Sequence, residues 1–340
     1  MWTRSSGITL PVIERGGLLK VLIICFGLLG SSAAARAQEL PAQPPPPPGA
    51  QNQTKDSRIR RDVDLVLLHA TVVDQKGIYI PNLQTDNFRV FENNIEQKVS
   101  VFKNEDIPVT MGLVIDNSGS MRDKRPRVNA AALTFVQTSN PQDQAFVVNF
   151  NDEYFLDLDE DFTSDQKELK AALDRIDSRG STALYDALVG SLDHLKKGNR
   201  DKKVLLVITD GEDNASRKDL AYAVQAAQQS NAVIYAVGLF SDDDKKERRR
   251  ATKALIELTE ATGGKAYFPK DVSEVDALCT QIAAEIRHQY TLGYYPTNTA
   301  RDGSYRTVRV EVIPPRGGGK LYARTRPGYY AQHGSASASN

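Results

Sequence analysis

The residues with the clearest chemistry lie in three short stretches. Asp116-Asn117-Ser118-Gly119-Ser120 gives a carboxylate and two hydroxyls at positions i, i+2 and i+4. In a loop whose alternate side chains turn the same way, these three hard oxygen donors converge, and Gly119 lets the backbone wrap closely. Ile208-Thr209-Asp210-Gly211 supplies a second carboxylate. Between the two, Gly180-Ser181-Thr182-Ala183-Leu184 opens a helix and brings another hydroxyl. An all-oxygen set made of Asp116, Ser118, Ser120, Thr182 and Asp210 suits a hard, octahedral cation. Mg²⁺ is the expected ion, with Mn²⁺ or Ca²⁺ as alternatives. Each piece also has a plain structural explanation: Asp116 and Ser118 as turn residues, Thr182 as a helix cap, Asp210-Gly211 as a turn.

The elements around these stretches are expected to bring them together. Val109 to Ile115, Ala145 to Phe150, Val204 to Ile208 and Ala232 to Val237 are nearly continuous apolar runs, the pattern of strands buried on both faces of a mainly parallel sheet. Tyr154 to Leu158 reads as an antiparallel edge strand. Helical faces lie between the runs: Val128, Ala132, Phe135 and Val136; Leu184, Leu188, Leu192 and Leu195; Leu220, Val224 and Ala227. Strands alternating with helices predict a doubly wound, Rossmann-like α/β domain over residues 108–289. Counted from Val109, Asp116 ends the first strand and Asp210 the fourth. In the order 3-2-1-4-5-6 those strands are neighbours at the switch point, where ligands bind beyond the carboxyl ends.

Segments rich in strand patterning flank this centre. In residues 61–107, Phe88–Phe91 and Val99–Phe102 flank Asn93-Asn94 as a hairpin signal. In residues 290–331, Tyr290–Tyr294, Tyr305–Ile313 and Leu321–Tyr330 alternate apolar and polar residues. Each segment is too small to bury much surface alone, so the two are expected to pair as one β-rich domain into which the centre is inserted.

Residues 1–37 have the order of a secretory signal: Arg4, Arg15 and Lys20, an apolar run from Val21 to Gly30, then Ala35-Arg36-Ala37. The run falls short of the ~20 residues a membrane span needs, and no later stretch could serve as one. Residues 38–60 form a linker with five successive prolines, Pro44 to Pro48, which favour extended polyproline II. Residues 332–340 read as a flexible tail. The chain is expected to be exported, to the periplasm, the cell envelope or the medium.

The 340 residues carry 43 basic and 43 acidic side chains. That balance argues against a nucleic-acid partner. Loss of residues 1–37 removes four basic residues and one acid, leaving a net charge of −3. It also leaves Cys279 as the single thiol, so no intrachain disulfide can form. Other chemistries are poorly matched. No Gly-x-Ser-x-Gly elbow surrounds a serine, and Gly317 to Lys320 lacks the upstream glycine and the Ser/Thr of a phosphate loop. His69, His194, His288 and His333 are far apart and read as surface residues. Asp242-Asp243-Asp244 is followed at once by Lys245-Lys246-Glu247-Arg248-Arg249-Arg250, whose cations would compete for any ion, so the stretch is expected to open a solvated helix.

Taken together, Asp116-x-Ser118-x-Ser120, Thr182 in Gly-Ser-Thr-Ala-Leu-Tyr-Asp-Ala, and Asp210 in Ile-Thr-Asp-Gly resemble the von Willebrand factor type A domain over about residues 106–290. The five residues match that family's metal-ion-dependent adhesion site. The flanking pieces, Asn82-Leu83 to Phe102 and Tyr290-Thr291-Leu292-Gly293-Tyr294, resemble a bacterial subgroup of exported type A-domain proteins. The resemblance implies a non-enzymatic adhesion module. Asp116, Ser118 and Ser120 would hold the ion, Thr182 and Asp210 would complete the cage directly or through water, and a carboxylate of a partner protein would take the open position. It also implies a last helix, about Val272 to Gln289, able to shift with ligand state. The competing readings are a structural envelope protein stabilised by the metal and a metal-dependent hydrolase; the latter lacks a visible general base and acid.

Overall fold

The computed structural model describes residues 65–333 except 105, 176–177 and 242–243. The signal, the proline run and most of the tail lie outside the described residues.

The described residues begin in a β-sandwich. Strand β1 (Val66–Val73) sends Val66, Leu68, Ala70 and Val72 into the core. Strands β2 (Phe88–Glu92) and β3 (Ile95–Gln97) form a hairpin with Glu92 opposite Ile95. Its two loop residues, Asn93 and Asn94, have φ of 47° and 65°. Asparagine tolerates this left-handed conformation, and the resulting tight turn matches the strand twist. The second arm of the hairpin therefore starts at Ile95, not at Val99 as the sequence suggested. A two-residue turn sets the register and pairs the residues that immediately follow it. Residues Val99–Lys103 instead form β4, which pairs with a strand from the far end of the chain.

The α/β layer follows: β5 (Val109–Asp116), α1 (Arg125–Gln137), β6 (Gln144–Phe150), β7 (Tyr154–Leu156), α2 (Gln166–Asp174), α3 (Leu184–Leu195), β8 (Lys202–Thr209), α4 (Leu220–Gln229), β9 (Ala232–Gly238), α5 (Lys245–Glu260), β10 (Ala266–Tyr267) and α6 (Val275–Arg287). The sheet order is β10-β9-β8-β5-β6-β7, parallel except for the edge strand β7. Every residue of β5 and β9 is buried, which is why these strands read as unbroken apolar runs. Helices α1, α2 and α6 cover one face, and α3, α4 and α5 the other. Asp244 caps α5 by accepting from the amides of Lys246 and Glu247 at 2.8 and 2.9 Å, so the charged stretch does open a helix.

The chain then returns to the sandwich through β11 (Tyr290–Tyr294), β12 (Tyr305–Val312), β13 (Tyr322–Arg324) and β14 (Gly328–Tyr330). One sheet has the order β13-β1-β11-β4 and the other β14-β12-β2-β3. Each therefore mixes strands from both ends of the described chain. Their inner faces share one core that includes Leu68, Phe88, Val90, Tyr290, Leu292 and Val310. The seam with the α/β layer is polar. Glu285 of α6 accepts from Tyr235 at 2.7 Å, from Thr71 and Tyr267 at 3.2 Å, and from Arg324. Gln289 donates to Thr71 at 3.1 Å and to Tyr235 at 2.9 Å.

Leu292 sits in β11 between β1 and β4 and is fully buried. Leu292→Ala is expected to cost about 3 kcal/mol in urea unfolding. Hydrogen exchange should then accelerate in β1, β4 and β11 together. Protection kept in β1 but lost in β11 would show that the two ends do not form one cooperative unit.

Candidate functional site

The carboxyl ends of β5 and β8 lie side by side, with Ile115 opposite Ile208. Asp116 and Asp210 are thereby neighbours where the strand order reverses. The Asp116 side chain is inaccessible to solvent. One of its oxygens accepts from the Ser118 amide at 2.8 Å and the other from the Thr209 hydroxyl at 2.5 Å. The loop then turns through Gly119–Met121, a single 3-10 turn. The Ser118 and Ser120 hydroxyls are 3.2 Å apart, and Ser120 donates to Asp210 at 2.8 Å. The other Asp210 oxygen accepts from Lys124.

Thr182 approaches from the loop before α3. Its amide donates to Asn214 Oδ1 at 2.9 Å, and its carbonyl accepts from the Asn214 and Ala215 amides at 3.0 and 3.2 Å. Its hydroxyl faces the peptide after Asp210, because a Cβ placed on Gly211 would lie 3.4 Å from it. The N-cap of α3 is Ala183, with no side-chain cap. The structure thus links Ser118, Ser120 and Asp210 in one hydrogen-bonded chain, anchors Asp116 beside them through the Ser118 amide, and sets Thr182 against the Asp210-Gly211 segment.

Backbone ties fix the three loops relative to one another. The Gly119 amide donates to the Gly180 carbonyl at 3.2 Å, Arg179 to Asn117 at 3.1 Å, and Ala183 to Asn151 at 2.7 Å. Gly180 is required where it stands. Its φ is +74°, and a Cβ there would lie 2.1 Å from an Asp152 carboxylate oxygen. Asp152 in turn accepts from the Ser181 amide at 3.0 Å.

Sequence reasoning missed three supporting residues. Thr209 donates to Asp116, Lys124 pairs with Asp210, and Arg125 lies beneath the loop. The Arg125 guanidinium, almost fully buried, donates to the Asp116 carbonyl at 3.0 Å, to Asn149 at 3.2 Å and to the Leu173 carbonyl at 3.0 Å. Burial pulls it down to about 10, although Asp116 opposes the shift. Lys124 and Arg125 have one sequence signal, their position as two cations at the entry to α1, where the helix dipole disfavours positive charge. The histidine reading is also corrected. His194 is buried against Phe146 and Phe162 and contacts the Asp161 carbonyl at 2.8 Å. It lies on the inward face of α3, where an imidazole can be satisfied by one polar contact.

Among the described residues, no group of three or more His, Cys, Asp and Glu side chains is placed to hold a metal. The rim group contains two carboxylates, and its other candidate donors are hydroxyls. Cys279 is a buried free thiol. No helix among the described residues is long and apolar enough to cross a membrane.

The profile of the von Willebrand factor type A domain matches residues 111–281, just over half of the chain. This chain belongs to that family. A Synechocystis relative described as an uncharacterized protein is 27% identical over 116 residues, and the chain spans 27% of its length. Among solved structures, a von Willebrand factor type A protein from Catenulispora acidiphila aligns over 78% of this chain and 73% of its own, with 14% identity and a TM-score of 0.47. The von Willebrand factor domain of the type V pili tip protein Mfa5 from Porphyromonas gingivalis aligns over 53% and 95%, with 13% identity and a TM-score of 0.46. The mussel byssus proximal thread matrix protein 1, in a form with a zinc-occupied metal-ion-dependent adhesion site, aligns over 57% and 49%, with 18% identity and a TM-score of 0.45. At these identities the likeness concerns the fold.

Burial, with a smaller contribution from the charge of Asp210, holds the Asp116 carboxyl above the usual range; the bonds from Thr209 and Ser118 only partly oppose it. With the folded value above the unfolded one, the group favours the metal-free fold below about pH 4. That contribution is lost as pH rises through the folded value. Asp116→Asn should therefore resist urea better than wild type at pH 7 in chelator, with the gap closing toward pH ~4. A wild-type protein that is the more stable at pH 7 would contradict this account of Asp116.

Proposed function

We propose that this protein is an exported, divalent-cation-dependent binding module. Asp116, Ser118, Ser120, Thr182 and Asp210 would hold Mg²⁺, or Mn²⁺ or Ca²⁺ in its place, and a carboxylate from a partner protein would complete the coordination. Domains of this family mediate protein–protein interaction. The observation that carries the reading for this chain is the linkage of Ser118, Ser120 and Asp210 beside a buried Asp116. All the donors are hard oxygens, the set that suits such an ion.

The chain's own residues have separable roles. Asp116 supplies a formal charge that the neutral hydroxyls cannot replace. Thr209 and Arg125 hold Asp116 by side chain and by backbone. Lys124 neutralises Asp210 and would have to yield to an incoming cation. With few carboxylates in the set, the ion would stay electrophilic enough to attract one more. Export rests on the order of residues 1–37. The sandwich is assigned to residues 61–107 and 290–331, and the binding domain to residues 108–289.

Calorimetry with Mg²⁺ and Mn²⁺ tests the assignment. Asp116→Ala should abolish binding, a loss of at least about a hundredfold, while far-ultraviolet circular dichroism stays native. Equal ion affinity in both proteins would sink the metal site and the ion-bridged mechanism with it. A panel of acidic peptides, with and without chelator, separates the three roles. Ion-dependent capture supports the binding module, turnover would support a hydrolase, and thermal stabilisation alone a structural metal.

A further inference from the structure

A cavity of about 250 Å³ opens at the seam between the sandwich and the α/β layer. Asp201 and Asn231, which line it, immediately precede β8 and β9. The cavity thus lies at the amino ends of the parallel strands, the opposite end of the sheet from Asp116 and Asp210, and nothing inferred here depends on the rim group.

Its dominant feature is a guanidinium that makes no ion pair among the described residues. Arg326, between β13 and β14, donates to Asn231 Oδ1 at 3.1 Å and to the Leu67 carbonyl at 2.9 Å, and it stacks 5.3 Å from the Tyr329 ring centre. Its Nε is buried without an acceptor. No carboxylate among the described residues pairs with Arg326. Arg306, which also lines the cavity, differs in being paired with Glu92 at 3.3 Å.

Arg301 and Arg306 add positive charge to the lining, and Asp201 adds one carboxylate. Burial pulls the Lys202 ammonium down to about 7, against the attraction of Asp106 and Asp143. Burial, with the charges of Lys202 and Arg326, drives His69 down to about 3, so it stays neutral. A half-buried guanidinium among neutral acceptors recovers only part of its lost hydration. An oxyanion beside it would supply the missing charge through charge-assisted hydrogen bonds. Asn231 still has its Nδ2 donor free to serve a ligand, because its Oδ1 is the atom engaged by Arg326.

We propose that this cavity binds one small organic anion, whose carboxylate or phosphate oxygens are received by Arg326 and whose polar body meets the amides of Gln228 and Asn231. The space is just below the range of ordinary small-molecule pockets, roughly 300–1,000 Å³, which points to a ligand the size of a dicarboxylic acid or a glycerol phosphate. Both would present the same oxyanion to the same guanidinium.

Calorimetry on the full chain, at constant ionic strength and in chelator, tests this with two probes, succinate and inorganic phosphate. At least one should bind saturably with unit stoichiometry, and the better probe identifies the head group. Arg326→Gln should weaken that binding at least about tenfold. Gln229, an exposed lining residue at the end of α4, provides the second variant. Gln229→Trp should obstruct the mouth without touching the core and should weaken binding similarly even if Arg326→Gln fails to fold. Absence of saturable binding of either probe up to about 10 mM, or unchanged affinity in Gln229→Trp, would overturn the proposal. The chelator keeps this outcome separate from the fate of the metal assignment.

Discussion

Asp116 and Asp210 bring two carboxylates to the ends of adjacent strands in a place with little water. The surrounding loops are organised by the need to keep that charge tolerable. Like charges in such a setting raise each other's energy, and burial raises it further. Thr209 and the Ser118 amide spend their hydrogen bonds on Asp116, Ser120 and Lys124 spend theirs on Asp210, and Arg125 grips the Asp116 carbonyl from beneath. Those same bonds set where the serine hydroxyls point. The loop geometry can thus be understood as a consequence of the two carboxylates and the neighbours they require.

The flanking sandwich meets the same sheet through a different polar device. Glu285 projects from the last turn of α6 and gathers donors from β1, β9, β10 and β13. Tyr79 reaches the His288 carbonyl at 2.5 Å, and Lys202 reaches that of Ile286. The end of α6 is therefore bonded to both layers at once. Only two residues separate it from β11, the strand between β1 and β4 in the sandwich. Any displacement of α6 along its axis would have to break this set of bonds or drag β11 with it.

The strands of the α/β layer were legible because burial on both faces leaves an unbroken apolar run, and that pattern survives in β5, β6, β8 and β9. The position of Asp116 and Asp210 followed from strand order alone. Legibility failed where tertiary context decides. Helix α2 is an exception: Leu169, Ala172 and Leu173 fall at i, i+3 and i+4 on one helical face, a signal present in the sequence but not used. Strand β10 is two residues long and exists because β9 offers it an edge. The hairpin at Asn93-Asn94 was recognised, but its arm was misplaced, since Ile95 and Glu96 are exposed and carry no strand-like alternation. Arg125 could not be anticipated as buried, because an arginine at a helix start is ordinarily solvated and only its fit beneath the Asp116 carbonyl makes burial tolerable.

Lys124 shows what the cation proposed for this rim would have to displace. Its ammonium pairs with Asp210, whose side chain is fully buried, while its own is 29% exposed. The aliphatic stem can therefore swing outward into solvent at modest cost. A divalent ion would bring twice the charge to the same carboxylate and would also engage Asp116, whereas Lys124 bonds only to Asp210 among the carboxylates of the described residues. The exchange would trade a pair with one carboxylate for an interaction with two, and it would offset the burial and, to a smaller degree, the repulsion by Asp210 that lift the Asp116 proton affinity. The energetic reason for metal binding would then lie in the unbalanced Asp116, and the role of Lys124 would be to keep Asp210 neutralised and the loop folded until the ion arrives.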